Sequence, residues 1–473
     1  MSLHIPFDNS YARLPEALFT RLEPTPVEQP QLLAFNRALA ERMNITGKSV
    51  DDELAPIFAG NQIPEGADPL AQAYGGHQFG NWAGQLGDGR AILLGETIGT
   101  DGIRHDIHLK GAGPTPYSRA GDGRAWLGPV LREYVVSEAM HALGIPTSRA
   151  LAAVTTGETV WREAPLPGAV LTRVAQSHIR VGTFQLLMAR QDISGLRALF
   201  EHTVDRHFPQ AQTPLDLLNA VITAQSKLIP HWMSVGFIHG VMNTDNTLIS
   251  GETIDYGPCA FLDDYHPSTV FSSIDRMGRY AYANQPDIIT WNMAQFATAL
   301  IPLMPDQDEA VQAFTTAVHA MPDMTRTEWL RRFRCKLGLT TAHPDDHALI
   351  NDLLTLMAEQ GADFTNTFRA LGTEKARDQF TDPLGFDIWQ TRWQERLKRE
   401  TDPEAVMQAA NPAFIPRNHR IEQMIEAAVK GDYALFHRLN TVLSHPYKDQ
   451  PDAKDLARPP AESERVQATF CGT

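Results

Sequence analysis

The stretch His239-Gly240-Val241-Met242-Asn243-Thr244-Asp245-Asn246 is followed shortly by Ile254-Asp255-Tyr256-Gly257. Asn246 and Asp255, nine positions apart, offer an amide and a carboxylate oxygen. Such hard ligands suit Mg²⁺ or Mn²⁺ on a phosphate chain, although a turn or capping role fits either residue taken alone. Phosphoryl-transfer enzymes built on this pair place their catalytic Asp two positions after the His. Here that position is Val241, and an acid stands instead beside the metal-type Asn, at Asp245. If neighbouring side chains diverge, Asp245 is free to accept a proton from an incoming hydroxyl; a surface turn acid is the equal alternative. His239 reads as a residue that holds the loop, not as a base.

Working upstream, Asp106-Ile107-His108-Leu109-Lys110 alternates like a half-buried strand and puts Lys110 and Leu109 on opposite faces. A helical stripe follows over residues 131–143 and carries Glu133. Strand lysine, then helix glutamate, then the Asn246/Asp255 pair is the order in which kinases fix a triphosphate. Arg173 and Arg180 fall where a first lobe should end; they suit bidentate phosphate contacts or plain surface ion pairs. Residues 74–95 are dense in glycine and contain Gly87-Asp88-Gly89-Arg90, a candidate phosphate loop or a set of tight turns. A second small-residue loop starts at Gly111 and leads to Asp122-Gly123-Arg124.

Around these motifs the pattern predicts a Pro-punctuated N-terminal stretch with one amphipathic helix near residues 31–43. It also predicts strands over 150–154 and 158–162 joined by a Thr-Thr-Gly turn, and a further strand over 169–174. Helices should dominate after residue 176, including one over 215–232, and residues 445–464 read as a loose tail. The expected fold is α+β, a protein-kinase-like two-lobed fold with an N-terminal extension and helical C-terminal additions. The divisions are 1–70 for the extension, 71–175 and 176–444 for the lobes, and 445–473 for the tail with Cys471.

Of the 473 residues 43% are hydrophobic, ample for large cores, and the net charge of −15 makes the chain a poor nonspecific ligand for nucleic acid or anionic membrane. No secretory pattern opens the sequence and no run approaches a bilayer span, so a cytoplasmic protein is expected. Cys259, Cys335 and Cys471 form neither a zinc spacing nor a disulfide framework; two are expected to be buried, and the third is a terminal thiol.

Longer motifs carry a resemblance. Gly-Gly-His-Gln-Phe-Gly from Gly75, Gln-Leu-Gly-Asp-Gly-Arg from Gln85 and Leu-Lys-Gly-Ala-Gly-Pro-Thr-Pro-Tyr-Ser-Arg from Leu109 resemble the selenoprotein O (SelO/YdiU) family. So do His-Gly-Val-Met-Asn-Thr-Asp-Asn from His239, Asp-Tyr-Gly-Pro from Asp255 and Gly-Arg-Tyr-Ala-Tyr from Gly278. The resemblance implies a pseudokinase that binds ATP flipped and transfers AMP to Ser, Thr or Tyr hydroxyls of proteins, releasing pyrophosphate. It implies Lys110 on phosphates and paired with Glu133, and Gly87, Gly89, Arg90, Asp122, Gly123, Arg173 and Arg180 around the nucleotide. It further implies Asn246 and Asp255 on Mg²⁺ or Mn²⁺, and Asp245 as base. Some bacterial relatives use UTP with Mn²⁺. In some relatives selenocysteine stands where Cys471 does here, and certain members pair it with a cysteine in the segment after the metal Asp. Only Cys259 is available for that here, and burial is its plainer reading.

Overall fold

The computed structural model describes residues 3–47 and 51–470. Its strands in chain order begin with β1 (Phe19–Arg21), β2 (Gln31–Phe35), β3 (Leu70–Gln72), β4 (His77–Gln78), β5 (Asn81–Trp82) and β6 (Ala91–Ile98). They continue with β7 (Arg104–Lys110), β8 (Ala125–Trp126), β9 (Arg149–Trp161), β10 (Pro165–Ala175), β11 (Phe237–Ile238) and β12 (Ala260–Phe261). Eight of them form one antiparallel sheet in the order β1-β3-β6-β7-β10-β9-β2, with β8 also paired to β10. Period-two alternation sorts its two faces. Ile92, Leu94, Ile107, Leu109, Val170 and Val174 join a core with Leu54 and Phe58 of helix α2 (Asp51–Ala59), which follows α1 (Arg37–Arg42). The other face packs Leu93, Ala150 and Leu171 under α3 (Leu127–Ala142), through Leu127, Val130, Leu131 and Val135.

Helices dominate from α4 (Val181–Ala189) and α5 (Ile193–His207) onward. The long α6 (Pro214–Ser234) starts on a capping box, with the Thr213 hydroxyl accepting from Asp216 N–H and the Asp216 carboxylate accepting from Thr213 N–H. It packs with α7 (Gln285–Leu300) and α8 (Gln307–Lys336). Strands β11 and β12 pair with Phe237 opposite Phe261, so they close residues 239–259 into a loop with fixed ends. Two C-terminal helices, Asn418–Val429 and Ala434–Leu443, return to pack on α3.

Three local expectations fail. Residues 31–43 split into strand β2 and helix α1 at Asn36, whose side chain caps Leu39 N at 3.1 Å. Leu32 and Phe35 are drawn into pairing with β9, so sheet contacts override a helical apolar pattern. The Thr-Thr-Gly turn is absent: β9 runs unbroken through Thr155, Thr156 and Gly157, and the register shifts opposite it, between Pro167 and Ala169. The tail is not loose through residue 470. Ala453 and Leu456 are buried, Tyr447 donates its hydroxyl to Leu143 O, and Thr469 N–H bonds Phe271 O at 2.7 Å. Of the thiols Cys259 is buried and Cys335 half-buried, while Cys471 lies outside the described residues.

Candidate active site

Alternation along β7 places Asp106, His108 and Lys110 on the face opposite Ile107 and Leu109. The register sets Lys110 across from Leu171 and His108 across from Arg173 on β10. Glu133, in the second turn of α3, projects onto the same face. Lys110 Nζ lies 2.5 Å from Glu133 Oε2 and 3.1 Å from Asp255 Oδ1. Arg173 Nη1 bonds Asp255 Oδ1 at 2.7 Å and Glu133 Oε1 at 3.2 Å, and Arg180 Nη1 bonds Asp255 Oδ2 at 2.9 Å. Burial alone would raise the Asp255 carboxyl, but Lys110, Arg173 and Arg180 together hold it well below the usual carboxylate range. Glu133 is likewise lowered, against its burial, by Lys110 and Arg173. Asp255 adopts φ 62°, a left-handed conformation for a residue with a Cβ, which the three cations fix in place.

These groups line a cavity of about 440 Å³ that also reaches Arg90, Asp245 and Asn246. Asn246 donates its amide nitrogen to Val241 O at 3.0 Å, which leaves its amide oxygen for a ligand. His239 is indeed structural: Nε2–H donates to Ile254 O at 2.8 Å, and Nδ1 accepts from Val241 N–H at 3.3 Å. Among the described residues no group of three His, Cys, Asp or Glu could hold a metal. The Asn246 amide oxygen and the Asp255 carboxylate are hard oxygen donors of the kind that would suit Mg²⁺ or Mn²⁺.

Asp245 is 6% exposed, not a surface turn acid. Gln78 donates to its Oδ2 at 2.9 Å, and its Oδ1 has no partner among the described residues. Burial pushes this carboxyl up to about 6, against the pull of the Gln78 amide. Gln78 belongs to the β4–β5 hairpin, whose backbone grips side chains of the loop. His77 N–H donates to the Thr244 hydroxyl at 2.7 Å and Phe79 N–H to Asn243 Oδ1 at 3.1 Å. A Cβ on Gly76 would sit 2.9 Å from the Asp245 side chain, so only glycine fits there.

The remaining expected residues serve loop packing or the rim. A Cβ on Gly87 would strike the Tyr117 ring at 2.5 Å, one on Gly89 would meet Tyr117 O at 2.8 Å, and one on Gly123 the Gly113 backbone at 2.1 Å. Asp122 is held in a fork by Arg162, at 2.8 and 3.0 Å, where the cavity opens. Sequence reading passed over Gly76, Gln78, Asp88 and His108. The His108 signal was present, since it shares Lys110's face by alternation. For the hairpin the motif from Gly75 was a signal, but it could not show the partner, a loop 167 residues away.

The family model described as Protein adenylyltransferase SelO matches residues 1–444. The protein nucleotidyltransferase YdiU of Ruegeria pomeroyi is 65% identical over 473 residues, spanning 100% of both chains. Its namesake from Roseobacter denitrificans is 61% identical over 473 residues, and that from Rhodopseudomonas palustris 56% over an alignment of 491, each again spanning 100% of both chains. This chain belongs to the SelO family of protein adenylyltransferases.

Proposed function

We propose that this chain is a metal-dependent protein adenylyltransferase of kinase-like, two-lobed architecture, with residues 71–175 and 176–444 as its lobes. It transfers AMP from ATP to Ser, Thr or Tyr hydroxyls of other proteins. The observation that carries this reading is that Asp245, whose Oδ1 has no hydrogen-bond partner among the described residues, lines the same cavity as the Lys110, Glu133, Arg173, Arg180 and Asp255 cluster. Lys110, Arg90, Arg173 and Arg180 bind the triphosphate, with Glu133 fixing Lys110 between acids. Gly87, Gly89 and Gly123 let the flanking loops close together, and Asp122 holds the rim through Arg162. Asn246 and Asp255 hold Mg²⁺ or Mn²⁺, which would neutralise charge developing on the phosphates. Asp245 takes the proton from the acceptor hydroxyl as its oxygen bonds the α-phosphorus and the bond to the bridging oxygen breaks, releasing pyrophosphate.

Incubation with a protein extract and ATP labelled on the α- or the γ-phosphate tests the reading. Adenylyl transfer leaves only the α-label on protein, and chelation of divalent metal stops it. Retention of the γ-label would make the enzyme a kinase, and retention of neither would make it a binding protein. A parallel arm with UTP and Mn²⁺ identifies the nucleotide, which the relatives' name, nucleotidyltransferase, leaves open.

A further inference from the structure

His108 is fully buried between two charged groups, and their chemistry fixes where its proton sits. Nδ1 lies 3.3 Å from Arg173 Nη2. A guanidinium only donates, so Nδ1 must be the accepting, unprotonated nitrogen. The single ring proton is then on Nε2, 3.1 Å from Asp88 Oδ2, which also accepts Gln72 N–H at 3.1 Å. Asp88 stands between Gly87 and Gly89, and its carbonyl accepts from the Thr115 hydroxyl at 2.7 Å. On the far side Arg173 reaches Asp255 and Glu133 through Nη1. The imidazole of His178 stacks on His108 at 4.2 Å and 24°, and is itself bonded to Asp106 at 2.9 Å. Burial and the charges of Arg173 and Arg180 push the His108 pKa down, consistent with a neutral ring.

We infer that His108, as its Nε2–H tautomer, is a positioning residue that ties the Gly87–Gly89 loop, through Asp88, to the guanidinium of Arg173 and hence to Asp255. This rests on the reading of Asp255 as the metal-holding carboxylate. One ring thereby sets both the loop that covers the phosphates and the arginine that aims the metal ligand.

Two substitutions each keep half of the relay. In His108→Asn the amide oxygen replaces Nδ1 and keeps the Arg173 contact; in His108→Gln the amide nitrogen replaces Nε2 and keeps the Asp88 contact. His108→Gln should lower kcat about 10- to 100-fold and raise the metal concentration at half-maximal rate, the usual cost of losing a residue that orients a metal ligand. His108→Asn should keep the metal dependence near wild type and raise KM for ATP. In long-range ¹H–¹⁵N spectra of the wild type at pH 7, the signals lost on either substitution should be those of an Nε2–H imidazole. Identical kinetic defects in both variants, or a proton on Nδ1 or on both nitrogens, would overturn the relay. The spectra need no turnover, so a wild type that transfers nothing sinks the functional reading while the tautomer is still decided.

Discussion

At the scale of one residue, Asp245 is costly where it stands. Its folded pKa of about 6 exceeds the ordinary carboxylate value of 3.8, so the proton it binds stabilises the fold below pH 4 and that stability is lost as pH rises through 6. At pH 7 the buried charge is destabilising, which fits the proposed role of a base that must be ionised to act. Asp245→Asn can still accept from Gln78, and it should raise stability at pH 7 by about 1–2 kcal/mol while cutting transfer by about 10²- to 10⁴-fold. Thermal melts alongside turnover check both; a variant that is less stable would deny the burial cost. In the wild type, kcat should fall tenfold per unit as pH drops below about 6, and a rate flat from pH 5 to 8 would remove Asp245 as base. The nine-residue spacing located Asn246 and Asp255, and the position of Asp245 beside them was equally plain. Its burial was not, because the group that covers it arrives from Gly76 and Gln78.

Elements behave the same way: those whose residues satisfy one another locally were legible, and those completed by distant chain were not. Helix α3 was readable apart from its first turn, Leu127–Val130, although it is buried on most sides, between the sheet and the C-terminal helices. Strand β2 has the composition of a helix and becomes a strand only because β9 offers it an open edge. The β4–β5 hairpin is the extreme case. It is two residues per strand, too short to be stable alone, and it holds its shape by bonding Asn243, Thr244 and Asp245. Gly76→Ala tests whether that grip matters, because its methyl must displace either the hairpin or the Asp245 carboxylate. Transfer should fall about 10- to 100-fold, the scale of a displacement near 1 Å. Binding of a fluorescent ATP analogue should change less than threefold, since Lys110, Arg173 and Arg180 are untouched. Loss of binding in step with transfer would show that the hairpin supports the phosphate site and not the base.

At the scale of the molecule, the sheet and the helices beyond residue 176 are pinned by a buried ionic cluster some way from the cavity. Arg206 of α5 reaches Glu96 on β6 at 3.1 Å and Asp106 on β7 at 2.5 Å, and it also donates to Gln176 O. Glu96 takes the Ser10 hydroxyl and Tyr11 N–H as well, so the N-terminal segment is fastened at the same point. Burial pushes Glu96 up despite Arg206, whereas Asp106, equally buried, is held well below its ordinary range by Arg206. Among the described residues Arg206 is the one cation that bonds both acids, while Arg104 also reaches Glu96 at 3.4 Å; Arg206→Met strands Asp106 and weakens the hold on Glu96, which should cost about 3–5 kcal/mol at pH 7. Asp106 contributes its paired stability above pH 4 and loses it as pH falls, so the deficit should shrink when unfolding is measured nearer pH 5, where the stranded carboxyls take up protons. Adding Asp106→Asn should recover part of the loss, making the double variant more stable than the sum of the singles. A deficit that stays constant with pH would mean that Arg206 acts by packing its stem, not by its charge. Asp106 also holds His178, which stacks on His108, so loosening this pin should blunt transfer at temperatures where the variant is still folded.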